Sequence, residues 1–310
     1  MAFNDVKISC TSPSFSKNKH LSSVLREHFP ASRFNDKGIR FNKESLINFL
    51  SDADGAIIGL EDIDQEVLEQ CPRLKIISKY GVGLDNIDLD ACKASNVQIG
   101  WTGGVNSRSV AEMTLGFMLM LTRNLYCKSV NLKKGLWEKD GGSQLTNKSI
   151  GIVGLGSVGK DLVSLLQPFK CKILVNDIVD QKNFCHRHGL VESSKIDLIR
   201  RSDIITIHTP LTPDTKHMCG EDWFSKMKRT AFFINTSRGL IVDQTALKKA
   251  LSDGLIAGAA IDVYAEEPPM DTQLLQQANL ISTPHIGGNS AEAINSMGLS
   301  AINHLKRFFE

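Results

Sequence analysis

The chain has 310 residues, enough for two domains of ordinary size with cores that need neither disulfide nor metal. Apolar residues make up 42% and charged residues 23%, which excludes whole-chain disorder. With 36 basic and 34 acidic residues the formal charge is +2, and no basic excess points to a nucleic-acid partner. Seven cysteines without a C-x-x-C spacing, and an N-terminus without a secretory-signal pattern, predict free thiols and a cytoplasmic location. The longest apolar run, 113–121, is far shorter than the ~20 residues of a membrane span, so no membrane partner is expected.

The elements follow in chain order. VKISC (6–10), AIIG (56–59), LKIIS (74–78) and VQIG (97–100) are short apolar runs rich in β-branched residues, predicted as strands. Segments with helical spacing lie between them, as in Leu21, Val24, Leu25 and Phe29, or Leu46, Ile47 and Leu50. Residues 106–125 then carry a long helical pattern that includes Val110, Phe117 and Leu121. It is apolar almost all round between 113 and 121, which predicts burial between layers or between subunits.

A second α/β series starts at KSIGIVGLGSVG (148–159). Its predicted strands are 150–153, 172–176, 204–208, 231–235, 256–263 and 279–284, with helices at 158–167, 193–201, 221–227 and 243–252. A last helix over 290–309 closes the chain. The expected fold is α/β, with two doubly wound parallel-sheet domains. The smaller, flavodoxin-like domain covers 1–100 and is completed by 290–310. The larger is a Rossmann NAD-binding domain over 101–289.

Gly154, Gly156 and Gly159 form G-x-G-x-x-G directly after a predicted strand. The first glycine allows a tight turn, the second a close approach of pyrophosphate, and the third tight helix–strand packing. Asp177 lies 18 residues beyond Gly159 at the end of the next strand, where it can accept hydrogen bonds from both ribose hydroxyls. No basic residue at 178–180 stands ready for a 2′-phosphate, so NAD is expected as the cofactor over NADP.

The later strand ends collect polar residues. INTSRG (234–239) brings Thr236, Ser237 and Arg238, AIDVYAEEPP (260–269) brings Asp262, Glu266 and Glu267, and STPHIGG (282–288) brings His285. Ligands sit outside the carboxyl ends of strands in such folds, so these groups can converge. A histidine suits the proton transfer that accompanies hydride transfer, a carboxylate can orient it, and an arginine offers a planar fork to a substrate carboxylate. The residues alone leave Glu266 and Glu267 as equal competitors for the acid.

An ordered series of motifs across nearly the whole chain carries a family resemblance. YGVGLDNIDL (80–89), GGVNSRSVAE (103–112), GIVGLGSVG, HTPLTPDT (208–215), NTSRG, DVYAEEP and TPHIGG together resemble the D-isomer-specific 2-hydroxyacid dehydrogenases. That family includes D-lactate, glycerate, 3-phosphoglycerate and formate dehydrogenases. The resemblance implies Arg238 as the catalytic arginine, Glu267 as the acid orienting the histidine, and His285 as the acid/base. It implies a substrate-carboxylate loop at Tyr80, Gly81, Val82 and Gly83. It places cofactor contacts at Ser157, Val158, Asp177, Thr209, Pro210, Thr215, Thr236, Asp262 and Gly288, with Asp262 near the nicotinamide carboxamide. It further implies a homodimer using the helix after residue 105, and an active site in the cleft between domains. The substrate would be a small 2-hydroxy or 2-keto acid.

Two departures bear on the substrate. The animal-type phosphoglycerate dehydrogenases carry an arginine after the strand that here reads AIIG, where this chain has Leu60 and Glu61. Lys79 matches a second phosphate-facing arginine of that group and supplies one cation. The chain also ends directly after the closing helix, without the serine-sensing domain of some members. Formate dehydrogenase is disfavoured because a glutamine stands there in place of Glu267. D-3-phosphoglycerate dehydrogenase is the alternative enzyme. A non-catalytic NAD-sensing protein like the corepressor branch of this fold is the alternative of another class.

Overall fold

In the computed structural model, which describes residues 3–310, the apolar runs form two separate sheets whose strands are all parallel. The first sheet belongs to the unit Met1–Asn106 with Asn289–Glu310. Its strands are β1 (Ile8–Cys10), β2 (Arg33–Phe34), β3 (Gly55–Ile58), β4 (Ile76–Lys79) and β5 (Gln98–Gly100), in the order β2-β1-β3-β4-β5. This is the doubly wound flavodoxin-like order.

Each face of this sheet buries its own layer, because a strand covered on both sides is apolar at successive positions. Ile8, Ile57 and Ile76 pack with Leu21, Leu25, Phe29, Ala301 and Leu305. Ile58 and Ile77 pack on the opposite layer with Leu46, Leu50, Val67 and Cys92. The closing helix Ala291–Phe309 is capped by Ser290, whose Oγ accepts from Ala293 N at 3.2 Å, and supplies one of these layers.

The second sheet belongs to the unit Ser107–Gly288. Its strands are β6 (Ser149–Val153), β7 (Lys172–Asn176), β8 (Val191–Glu192), β9 (Ile204–Ile207), β10 (Phe232–Asn235), β11 (Gly258–Ile261) and β12 (Leu280–Ser282). They lie in the order β12-β11-β10-β9-β6-β7-β8, the Rossmann order with one more strand. Alternation again divides the core. Ile205 and Phe233 pack with Trp223, Phe224 and Leu247, whereas Ile204 and Ile234 pack with Phe117, Met118, Leu162 and Leu166.

Three expectations need correction. Strands β2 and β8 were not predicted; each is a two-residue edge strand, too short to show any periodicity. The first break between units falls after Asn106 and not after residue 100, and the second falls after Gly288 and not after 289. Residues beyond 100 stay with the first unit because Trp101 Nε1 donates to Val82 O at 2.9 Å and Thr102 Oγ1 lies 2.8 Å from His304 Nε2. The pattern over 106–125 forms the helix Ser107–Thr122, then a left-handed Asn124 interrupts it before the helix Leu125–Lys133. Only one stripe of the first helix is fully buried, including Val110, Thr114, Phe117 and Leu121, while Met113, Leu115, Leu119 and Met120 are half-buried.

Among the described residues no helix is long and apolar enough to cross a membrane. The closing helix generates a stability prediction. Leu305 is fully buried against both sheet and helix side chains. Leu305→Ala should destabilise the first unit by about 2–5 kcal/mol through lost contacts and a cavity. Hydrogen exchange should then show lost protection in β1, β3 and β4, with β6 and β9 unchanged; equal loss in both sheets would contradict it.

Candidate active site

The glycine segment follows β6, whose last residue feeds a turn that only glycine adopts without strain. Gly154 has φ +92°, and a Cβ there would lie 2.7 Å from His208 O. A Cβ on Gly159 would overlap Gly154 O. Gly156, by contrast, has open space where its Cβ would stand, and no side chain caps the helix Ser157–Leu166 that it begins. The first N–H groups of that helix, at Ser157 and Val158, therefore face an open surface suited to an anion.

Asp177, one residue past β7, is fixed to this segment. Its Oδ2 accepts from Leu155 N at 2.5 Å and its Oδ1 from Val179 N at 2.8 Å, which leaves lone pairs on both oxygens. Ile178 and Val179 beside it are exposed. Across the turn, the buried Thr209 Oγ1 has no hydrogen-bond partner among the described residues. An uncapped helix start, an orphaned buried hydroxyl and an apolar step beside an acid together fit a dinucleotide.

Other expected cofactor residues already have structural partners. Thr215 Oγ1 donates to Pro210 O at 2.8 Å and shapes the 210–215 turn. The Thr236 hydroxyl is buried 3.1 Å from that of Thr114. Gly288 is half-buried in the turn that ends the unit.

At the carboxyl ends of β10, β11 and β12 the unit gathers Arg238, Glu267 and His285. The Glu267 Oε2 lies 2.7 Å from His285 Nδ1, and its Oε1 accepts from Tyr264 N at 3.1 Å. Of the two adjacent acids it is thus Glu267 that holds the imidazole. The side chains of His285 and Glu267 are 38% and 34% exposed, so solvent reaches the pair.

The electrostatics follow from this geometry. The hydrogen bond to Glu267 raises the His285 pKa above its ordinary value; burial and the Arg238 charge oppose that, and the Glu267 and Asp262 charges assist it. Burial works to raise the Glu267 pKa, yet the His285 hydrogen bond and charge, the Tyr264 N–H and Arg238 outweigh it, and the carboxyl ends below its ordinary value. Arg238 thus acts electrostatically on both partners. An imidazole held in this way can donate and accept a proton near neutral pH.

Two supports were not legible as such in the sequence. Asp262 is buried, and both its oxygens bind the histidine loop: Oδ1 accepts from Thr283 Oγ1 at 2.6 Å and Ile286 N at 2.8 Å, and Oδ2 from Gly287 N at 2.7 Å. It clamps a loop in which His285 adopts a left-handed φ of +53°. Gly239 is the second support. A Cβ there would overlap the main chain of Tyr264 and Ala265, so glycine alone lets the arginine turn lie on the glutamate loop. The glycine that follows Arg238 in NTSRG was the available signal. Asn235 completes the turn, with Nδ2 donating to Arg238 O at 2.9 Å and Oδ1 accepting from Ser237 N at 3.1 Å.

The expected substrate loop lies in the other unit, just past β4. Tyr80 is buried, edge-on to Phe15 at 5.4 Å, so its ring belongs to the core. Lys79 is buried too, and its Nζ donates to Gly59 O and Asn86 Oδ1, both at 2.5 Å. The N–H groups of Gly81, Val82 and Gly83 meet no acceptor among the described residues, while Trp101 holds Val82 O. Such a run of unspent donors suits a carboxylate.

Comparison with known proteins agrees with this geometry. Residues 115–287 match the model described as "D-isomer specific 2-hydroxyacid dehydrogenase, NAD binding domain". The chain belongs to that family. It is 36% identical over 269 residues to the D-3-phosphoglycerate dehydrogenase of Methanocaldococcus jannaschii, covering 86% of this chain and 51% of that protein. It is 38% identical over 273 residues to the glyoxylate reductase of Thermofilum pendens, covering 85% and 80%. The chain spans about half the length of the phosphoglycerate dehydrogenases it matches. Among solved structures, D-lactate dehydrogenase from Aquifex aeolicus, complexed with NAD and lactic acid, aligns with a TM-score of 0.83 at 26% identity, over 97% of this chain and 95% of that one.

The close approach at Gly239 is open to a direct test. Gly239→Ala forces a methyl into main-chain atoms, and overpacking of this kind costs about 1–3 kcal/mol or more. Denaturant unfolding should register a loss of about 1–3 kcal/mol or more; a variant as stable as the parent would remove the support assigned to this glycine.

Proposed function

We propose that the protein is an NAD-dependent oxidoreductase that interconverts a small D-2-hydroxy acid and its 2-keto acid. The observation that carries this reading is the 2.7 Å Glu267–His285 pair, under the charge of Arg238, in the unit that also holds the dinucleotide-fitting glycine segment. Family membership supports it. Gly154, Gly156, Ser157, Val158 and Gly159 would hold the pyrophosphate and Asp177 the ribose. Thr209, Pro210, Thr215, Thr236, Asp262 and Gly288 would line the rest. NAD, when bound, supplies or accepts the hydride exchanged with the substrate's C2.

The chain's own groups do the remaining work. Arg238 binds the substrate carboxylate through its planar fork and draws electron density toward the keto oxygen. Gly81, Val82 and Gly83 offer main-chain donors to the carboxylate, and Lys79 and Tyr80 fix the start of that loop. During reduction, protonated His285 gives a proton from Nε2 to the carbonyl oxygen; during oxidation, the neutral ring takes the hydroxyl proton. Glu267 keeps Nδ1–H in place and stabilises the imidazolium that either direction passes through.

Phosphoglycerate oxidation is the second reading, favoured by the likeness to D-3-phosphoglycerate dehydrogenases and by the Lys79 cation. Against it, that ammonium is occupied by Gly59 O and Asn86. We also read the protein as a homodimer. The exposed Leu125, Tyr126, Leu132 and Trp137, which follow the helix Ser107–Thr122, are apolar side chains that a second copy would cover. Seven unpaired cysteines support the cytoplasm as its compartment.

Two measurements check this reading. His285→Ala should lower kcat/KM for keto-acid reduction by about 10²–10⁴-fold while NADH affinity stays within about twofold; near-full activity would overturn the mechanism. The unmodified enzyme should prefer NADH over NADPH, and Asp177→Ala should weaken NADH binding and narrow the preference, because the carboxylate both binds ribose hydroxyls and repels a 2′-phosphate. Equal kcat/KM with the two cofactors would contradict the assignment of Asp177.

A further inference from the structure

Tyr264 touches the surroundings of the arginine, the glutamate and the histidine alike, and the chemistry described above gives it no role. It is buried three residues past the end of β11. Its main-chain N–H donates to Glu267 Oε1 at 3.1 Å, and its main-chain carbonyl is the group against which Gly239, next to Arg238, is pressed. The phenol reaches the third side chain's loop. Tyr264 Oη donates to Thr283 O at 2.9 Å, and that same carbonyl accepts from His285 N at 3.1 Å.

The Thr283 carbonyl is thus the acceptor of a γ-turn around Pro284, which delivers the chain into the left-handed φ of +53° at His285. Thr283 is held at its other polar groups as well: its N–H donates to Ile261 O at 3.1 Å and its Oγ1 to Asp262 Oδ1 at 2.6 Å. Those two bonds tie the histidine turn to the end of β11. Tyr264 ties it to the carboxylate, because its Oη ends on the turn while its N–H ends on Glu267. A phenylalanine would fill the same space without reaching the carbonyl. Burial pushes the phenol pKa up, the Asp262 and Glu267 charges assist and a Ser282 hydrogen bond opposes, so the hydroxyl stays a neutral donor near pH 7.

We propose that Tyr264 is a positioning residue whose hydroxyl sets the approach of His285 Nδ1 to Glu267, and through that contact the protonation of the imidazole. Its effect on rate rests on the 2-keto acid reductase reading above; its effect on the imidazole rests on the geometry alone. Without the hydroxyl, the γ-turn keeps only its internal hydrogen bond and is free to shift relative to Glu267. A longer contact stabilises the imidazolium less, while the other charges that act on the ring, Asp262 and Arg238, remain.

The test is Tyr264→Phe, which keeps the ring and leaves Thr283 O with the His285 N–H as donor. Melting temperature should fall by no more than about 4 °C, and NADH affinity should stay within about twofold. The imidazole is read without substrate, by NMR titration of the histidine ring protons, the His285 signal being the one absent from His285→Ala. In Tyr264→Phe it should titrate about half a pH unit or more below the unmodified protein, the worth of one neutral hydrogen bond. The descending limb of kcat/KM for reduction of pyruvate, hydroxypyruvate or glyoxylate should move toward acid by the same interval. Its plateau should fall by about tenfold, since small misplacements of a reacting group cost that much or more. A variant that no longer folds, or one that slows the reaction equally at every pH while His285 titrates as before, would give the hydroxyl a merely structural role and overturn the inference. An unmodified protein that binds NADH and reduces none of the three acids would overturn the function proposed above, and the NMR titration would still decide the role of Tyr264.

Discussion

Glu267 is a partly buried carboxylate, and burial alone would push it toward its neutral form. The imidazole at 2.7 Å reverses that balance, and the same hydrogen bond raises the histidine pKa. The Glu267 pKa thus lies below its ordinary value and the His285 pKa above its own, so the window in which both groups are charged is widened at each end. The signs are opposite at the two ends of that window. The histidine's contribution to stability is complete below its unfolded pKa and is lost as pH rises through the raised folded value. The glutamate's is complete above its unfolded pKa and is lost as pH falls through the lowered one. With each side chain more than a third exposed, solvent screening keeps the stabilisation modest, and the consequence that matters is protonation state.

Holding that pair in place governs much of the local architecture. The histidine loop is clamped by Asp262 through three donors, and the glutamate loop is met by the arginine turn at the only residue type that permits the contact, Gly239. All three catalytic candidates follow strands β10, β11 and β12, which pair in parallel register and are mostly buried. A parallel sheet leaves its strand ends as the place where polar loops can meet without breaking the core, and both sheets here use that edge.

Much of this was legible in the sequence because the signals are periodic or steric. Continuous apolar runs marked ten of the strands, and G-x-G-x-x-G after a strand marked the open helix start at Gly156. What escaped was set by tertiary partners. Strands β2 and β8 exist because a neighbouring strand pairs with two residues of otherwise ordinary chain. The unit boundary moved because Trp101 and Thr102 find partners at Val82 and His304, far away in sequence. Spacing left Glu266 and Glu267 equal, and the family resemblance chose between them; in the structure it is Glu267 whose carboxylate lies 2.7 Å from Nδ1 of His285. Asp262 stands among the cofactor contacts that the resemblance implies, and its role as a loop clamp has no sequence signature.

The central claim is that Glu267 sets the protonation of His285, and the pH profile of kcat/KM for keto-acid reduction tests it most directly. Profiles between about pH 5 and 9 are compared for the unmodified enzyme, Glu267→Gln and Glu266→Gln, the range in which a raised imidazole titrates. The account predicts that the descending limb moves toward acid in Glu267→Gln, because a neutral amide no longer stabilises the imidazolium, and stays in place in Glu266→Gln. An acid shift in the Glu266 variant with none in the Glu267 variant would contradict it.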